Sequence, residues 1–320
     1  ILSGCRECDL IGLDNNESEL FFIEQKYRDY PNARFCLADV RDLHRLTREI
    51  AEIDIVFHTA AFKHVSLSEQ SPFEAVQTNI IGVQNIITAS FENKVEKVIF
   101  TSSDKAVNPT SVMGTSKLMG ERLMTAANCN YRGDGPVFAS TRFGNVLGSR
   151  GSVIPVFEEQ IKNGGPVTLT DPEMTRFIMS IEEAVRLVLE SASLAIGGEV
   201  FITKMPVINI RDLAEVMIEQ LAASFGHRPA DIAIKHIGVK PGEKMYEELM
   251  NIEETRRTWE LENYFVVFPA FRDIYQKIEY DYPNILNKYV TSAYCSKNEA
   301  SFSKAELTEF LKNNHLLSKS

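Results

Sequence analysis

The chain has 320 residues, 44% of them hydrophobic and 24% charged, and its formal net charge is -10. That length suffices for one large α/β unit carrying a smaller lobe. The acidic balance excludes a general grip on nucleic acid or anionic membrane, no apolar run is long enough to span a bilayer, and no signal peptide is evident, so a soluble cytoplasmic protein is predicted.

The chain opens on Ile1-Leu2-Ser3-Gly4, which reads as the tail of a helix. Short apolar runs then come in order: CDLIGLD (8–14), RFCLADV (34–40), DIVFHTAA (54–61), KVIFTSS (97–103) and VFASTRF (137–143). Their near-continuous apolar character fits parallel strands buried on both faces. Between them lie helical patterns. The best covers 72–91, with Phe73, Val76, Ile80, Val83 and Ile87 at helical spacing, Ser71 as N-cap, Pro72 in the first turn and Glu74 closing a capping box. Ser180 and Glu183 form the same box before a helix at 181–191. Further on, a strand is predicted at 199–202 and a helix at 211–223. Alternation of this kind predicts a doubly wound parallel sheet of Rossmann type. After about Gly144 the loops lengthen, so residues 1–144 are assigned to dinucleotide binding and 145–320 to a substrate lobe interleaved with the end of the sheet. The aromatic-rich stretch 263–283 reads as a packed excursion.

Five cysteines are scattered without a framework. Cys5 and Cys8 have zinc-like spacing, but nothing completes a tetrahedral site, so reduced thiols and no metal are expected.

A dinucleotide-binding sheet normally begins with a strand and a glycine-rich turn whose amides hold the pyrophosphate. Neither precedes the first strand here. Gly144, Gly148 and Gly151 come too late and leave a strand for a loop. Either the natural polypeptide starts further upstream, with or without membrane helices there, or the phosphate cradle has been lost; the intact later motifs favour the former, and this chain alone is expected to hold a dinucleotide poorly.

The densest stretch is VIFTSSDKAVNPTSVMGTSK (98–117). A buried strand ends in Thr101, Ser102 and Ser103, an acid–base pair comes next at Asp104 and Lys105, and Met113 and Lys117 then share one face of a helix. Ligands of open α/β sheets gather at such strand ends. Asp14 ends the first strand, either as a partner of the adenosine ribose hydroxyls, which favours NAD over NADP, or as a turn residue. Asp39 and Val40 close the next strand, at an adenine edge or in a plain turn. Ala60 and Ala61 leave room for close approach of a cofactor, and His58 reads as a satisfied core histidine. Lys63 and His64 sit on the loop beyond them. Asn79, unfavourable in the middle of a helix, implies a buried partner.

Five motifs now stand in order: HTAAFKHV, TSSDKAVNPTSVMGTSK, RFGNVLGSRGSVIP, LTDPEMTRF and GVKPGEKMYEEL. Together they resemble the extended short-chain dehydrogenase/reductases of the polysaccharide-biosynthesis (CapD-like) group, which are UDP-N-acetylglucosamine 4,6-dehydratases. The resemblance implies NAD, with NADP as the alternative, a UDP-sugar substrate and a homo-oligomer. It implies removal of hydride from sugar C4, loss of water across C5 and C6, and return of hydride to C6. Asp104 would be the acid for the leaving hydroxyl and Lys105 the base at C5, provided that its pKa is lowered. Thr101 and Lys117 would line the nicotinamide ribose, and Asn79 and Lys63 the cofactor, with Lys63 also near the sugar. Met113 departs from the usual tyrosine, since a thioether takes up no proton usefully. A water held by Ser103 and Asp104 would substitute, unless Met113 marks a lost activity. Asn145, Arg150, Arg176, Lys240 and Glu243 would surround the UDP moiety. A 4-epimerase of the same superfamily and an inactive dinucleotide-binding regulator are the alternatives.

Overall fold

A computed structural model describes residues 8–130, 135–149, 151–238, 242–270 and 278–317. The expectations at Ile1–Gly4, Cys5, Arg150 and Lys240 lie outside the described residues. The five early strands form within a few residues of their predicted limits, at Leu10–Asp14, Ala33–Leu37, Ile55–His58, Lys97–Ser103 and Val137–Phe143. The last three run parallel and pair in register, Ile55 opposite Lys97 and Lys97 opposite Val137. Val200–Thr203 joins them in parallel, and Tyr264–Val267, Thr258–Leu261 and Ile285–Asn287 extend the same sheet antiparallel. Four of its seven strands therefore come from beyond Gly144. Leu10–Asp14 and Ala33–Leu37 form a separate parallel pair. The fold is α/β with a mainly parallel central sheet.

Period-2 alternation decides what covers each face of that sheet. Val98, Phe100 and Phe138 point to one side and meet Val83, Ile86 and Met124 of the helices Gly82–Glu92 and Val112–Asn130. Ile99, Ala139 and Phe201 point to the other side and meet Leu187 and Val188 of the helix Ile181–Leu194. Ser180 and Glu183 close the predicted capping box there. A third core lies between the helices Val153–Lys162, Ile210–Leu221 and Lys304–Asn313, filled by Phe157, Ile161, Leu213, Met217, Leu307 and Leu311. The excursion beyond Asn263 packs as expected where it is described, with Phe268 against Trp259 and Tyr280.

Three expectations are corrected. The helix predicted over 72–91 is interrupted by a π turn at Gln77–Ile81. The extra residue in that turn rotates the first helical segment by about a hundred degrees relative to the second. Val83 is consequently buried while Phe73 is 83% exposed, and Ser71 makes no side-chain cap. Second, His58 is buried but not satisfied: its Nε2 has no partner. Third, Cys8 is disulfide-bonded, whereas Cys36, Cys129 and Cys295 are free. No group of side chains that could hold a metal and no helix able to cross a membrane occurs among the described residues.

The largest fully buried side chain among the described residues is Arg142, 1% exposed on the strand Val137–Phe143. Its guanidinium donates to both oxygens of Glu121 at 2.9 and 2.7 Å, to both oxygens of Glu254 at 3.1 and 3.0 Å, and to the Leu249 carbonyl at 2.8 Å. Removing one partner of such a cluster strands the others without solvent. Arg142→Met is expected to destabilise the protein by about 3–5 kcal/mol in urea unfolding, and adding Glu121→Leu and Glu254→Leu to recover most of that loss.

Candidate active site

The parallel strands bring the predicted residues to their carboxyl ends. Ser103 closes the strand Lys97–Ser103 and starts a single 3-10 turn, Asp104–Ala106, by accepting from the Lys105 amide at 3.2 Å. The Ser103 hydroxyl donates to Asp104 Oδ1 at 2.7 Å. Lys105 Nζ donates to both Asp104 oxygens at 3.0 Å. Asp104 is 2% exposed, whereas a third of the Lys105 side chain reaches solvent. The turn lies directly on the next helix: a Cβ at Gly114 would stand 2.3 Å from the Lys105 carbonyl oxygen, so only glycine permits this approach.

Burial alone would raise the Asp104 carboxyl, but Lys105 and Ser103 outweigh it and hold the group below its ordinary value. Burial alone would lower Lys105, but Asp104 and Glu247 outweigh it and the amine is raised. The condition for Lys105 to act as a base is therefore not met in this state, because two carboxylates face the ammonium. The pair rests as carboxylate and ammonium.

On the helix Val112–Asn130, Met113 is 4% exposed and its carbonyl accepts from the Ser116 hydroxyl at 2.7 Å. One turn on, buried Lys117 donates to the Thr101 carbonyl at 2.8 Å and lies 4.6 Å over the Phe100 ring. The Thr101 hydroxyl donates to the His58 carbonyl at 3.3 Å. Burial lowers Lys117 to about 8, and burial and Lys117 together lower His58 to about 3. Asn79 has the buried partners that its position implies. Its Oδ1 accepts from the Phe62 amide at 2.7 Å, and its Nδ2 donates to the Phe62 carbonyl and to Ser116. That clamp fixes the loop carrying Ala60, Ala61 and exposed Lys63 to the Lys117 helix.

Asp14 and Asp39 sit at the ends of the separate strand pair. Exposed Asp14 accepts from the Asn16 amide at 2.9 Å, a turn contact. Asp39 is held to about 2, chiefly by its hydrogen bonds from Arg41, and Arg41 also reaches Glu74. The Val40 carbonyl accepts from Asn85 on the helix Gly82–Glu92.

From the other half of the chain, Asn145, Arg176 and a residue that the motifs alone do not single out meet this pair. Glu247 accepts from Asn145 Nδ2 at 3.0 Å and from the Phe177 amide at 3.2 Å, with Arg176 Nε at 3.3 Å and Lys105 Nζ at 3.8 Å. Burial first, then Asp104, raises its carboxyl to about 7. The remaining Arg176 donors reach the carbonyls of Thr175 and Lys244. Lys244 donates to the Val107 carbonyl at 2.7 Å, and Glu248 accepts from Asn108 at 3.0 Å, which closes the segment over the loop after Lys105. Glu243 is exposed on this segment. The sequence does hold a signal for Glu247: a carboxylate shortly before the apolar pair Leu249-Met250 and next to Glu248, so that one of the two must face inward.

The polysaccharide biosynthesis protein family matches residues 3–269. The chain belongs to that family. Among its relatives, the UDP-N-acetylglucosamine 4,6-dehydratase (inverting) of Campylobacter jejuni is 42% identical over 244 residues, covering 76% of this chain and 70% of the relative. A UDP-glucose 4-epimerase of Rickettsia bellii is also 42% identical, over 245 residues, with 76% and 70% covered. The X-ray structure of Pen from Bacillus thuringiensis superposes with a TM-score of 0.88 at 43% identity, covering 96% of this chain and 90% of that one. Family members are thus named as both dehydratases and epimerases, and an enzyme acting on nucleotide sugars is the common ground.

A stability measurement tests the burial of Lys117. The unfolded chain keeps this proton up to the ordinary value of 10.5, while the folded protein releases it near 8. The unfolded state therefore binds more protons in that window and stability rises with pH across it. Compared with Lys117→Met, the wild type is expected to gain roughly 3 kcal/mol in urea unfolding as pH rises through the window.

Proposed function

We propose that this protein is a UDP-N-acetylglucosamine 4,6-dehydratase using NAD, a hydro-lyase that yields a 4-keto-6-deoxy sugar nucleotide for surface polysaccharide synthesis. The observation that carries the reading is the buried Asp104 carboxylate bonded through both oxygens to the Lys105 amine at the end of the parallel strand Lys97–Ser103. Epimerisation at C4 requires redox at one carbon and has no use for an acid and a base side by side. Elimination across C5 and C6 requires both.

Residues 8–144 would hold the dinucleotide. The fit rests on buried polar atoms left without protein partners, His58 Nε2 near the Lys117 amine and Ser102 Oγ on the strand Lys97–Ser103, and on small Ala60 and Ala61 at the strand end. Asp14 would take the ribose hydroxyls and Asp39 with Val40 the adenine side. NAD, when bound, supplies the acceptor and donor of the C4 and C6 hydride. Asn145, Arg176 and Lys63 would hold the UDP-sugar against the pair, Arg176 exchanging protein carbonyls for phosphate oxygens.

The resting charges define one step that the residues must make. Lys105 gives a proton to Asp104 along their existing hydrogen bond, which converts ammonium and carboxylate into amine and carboxylic acid without net charge change. Exclusion of water by bound sugar favours that neutral pair, because burial disfavours charged forms. The Lys105 amine then takes the C5 proton, and the Asp104 acid protonates the departing C6 hydroxyl as water. Buried Met113 takes no part in proton transfer, and Ser103, bonded to Asp104, would position a water for the C4 hydroxyl proton. The reading places the enzyme in the cytoplasm as a homo-oligomer, which exposed Phe73, Val76 and Met119 support.

Incubation with UDP-N-acetylglucosamine and NAD is expected to give a product lighter by one water. A C4 epimer of unchanged mass would establish the epimerase instead, and retention of dinucleotide without turnover the inactive regulator. Lys105→Ala is expected to lower dehydration at least about a hundredfold in protein that remains folded, and full turnover by that folded variant would refute the assignment.

A further inference from the structure

Glu247 is a buried carboxylate at the site with no part in the proton transfers just described. It sits where four elements converge. From the Asp104–Ala106 turn, Lys105 Nζ approaches its Oε1 at 3.8 Å, with Asp104 behind that amine. From the short strand Asn145–Val146, the Asn145 amide donates to both of its oxygens at 3.0 and 3.3 Å. From the strand Thr175–Met179, Arg176 Nε stands 3.3 Å away and the Phe177 amide donates at 3.2 Å. Its own backbone is pinned by Ser296, whose hydroxyl accepts from the Glu247 amide at 2.9 Å and whose amide donates to the Glu247 carbonyl at 2.9 Å. Lys244 and Glu248 are the charged groups next to it on its own segment.

A carboxylate fixed by this many donors does not swing. The mobile member is Lys105, on a long stem with part of its surface in solvent. We propose that Glu247 is a positioning residue for Lys105, a fixed second carboxylate that draws the amine toward Asn145 and Arg176 and so aligns the acid–base pair with the bound sugar. Without it Lys105 faces Asp104 alone, and no other described carboxylate of the substrate lobe directs the amine toward the substrate side.

A second consequence is electrostatic. An ionised Glu247 favours the ammonium form of Lys105 and so resists the proton shift to Asp104, whereas a neutral Glu247 releases it. Charge on Glu247 thus sets how readily the pair enters its reactive form. Glu247, raised to about 7 by burial and Asp104, changes charge near neutrality. This consequence for turnover rests on the dehydratase reading, whereas the placement of Lys105 does not.

The test separates the two. In protein labelled with nitrogen-15 in lysine, the Lys105 side-chain resonance, identified by its loss in Lys105→Arg, is tracked through neutral pH. The expected result is an inflection near pH 7 that reports Glu247, absent from Glu247→Gln and restored in Glu247→Asp. No inflection in the wild type, or an unchanged one in Glu247→Gln, overturns the proposal, and the wild-type titration decides even if the glutamine variant fails to fold. Turnover of UDP-N-acetylglucosamine is measured in parallel across the same range. Glu247→Gln is expected to lower kcat by about tenfold or more, because lost alignment of Lys105 outweighs the easier proton shift to Asp104, and to lose the pH dependence seen near neutrality. If the wild type releases no water from the sugar, the dehydratase reading falls and the resonance alone judges Glu247.

Discussion

The buried guanidinium of Arg142 is the constraint on which the remainder of this structure rests. One positive charge lies between the carboxylates of Glu121 and Glu254, and the Leu249 carbonyl accepts a further hydrogen bond from it. Burying three charges is costly, and only close, well-directed hydrogen bonds offset that cost. Each partner belongs to a different part of the site. Glu121 lies one helical turn beyond Lys117, Arg142 stands three residues before Asn145, and Leu249 comes two residues after Glu247. The helix that carries the lysine, the strand that delivers the asparagine and the segment that supplies the second carboxylate are thereby locked to one planar group.

That lock explains how a site assembled from opposite ends of the chain keeps distances of about hydrogen-bond length with no metal-ligating cluster among the described residues. The Asp104–Ala106 turn contributes Asp104 and Lys105, and the later half contributes Asn145, Arg176 and Glu247. The charges are arranged in alternation, Asp104, Lys105, Glu247 and Arg176, so that each is flanked by its opposite. Such a chain responds as a unit: a proton added or removed at one member changes the affinity of the next.

Much of this is legible in the sequence, for definite reasons. Strands buried on both faces write themselves as unbroken apolar runs, so Lys97–Ser103 and Val137–Phe143 fall where predicted, and Asn79 in mid-helix announces a buried partner that proves to be the Phe62 backbone and Ser116. The pair at 104 and 105 is visible because an acid and a base side by side after an apolar strand have few structural uses. The hidden features depend on three-dimensional phase. A π turn has no composition of its own, so the apolar spacing runs on through Gln77–Ile81 as though nothing intervened and places Phe73 in the core, where the structure exposes it. Glu247 is hidden by distance along the chain, since nothing local says which distant amine a carboxylate will meet. The Lys105 pKa is out of reach for the same reason, as the distant carboxylate adds to the rise that Asp104 causes.

The contact between Gly114 and the Lys105 carbonyl bears on how this scaffold could be altered. The acid–base turn is seated in a notch that exists because one helical position lacks a methyl group, while the neighbouring Met113 lends the site its backbone rather than its sulfur. Chemistry at 113 is accordingly free to diverge between sister proteins without unseating the pair. Any attempt to transplant the Asp104-Lys105 dipeptide into another framework must carry the bare position 114 along with it.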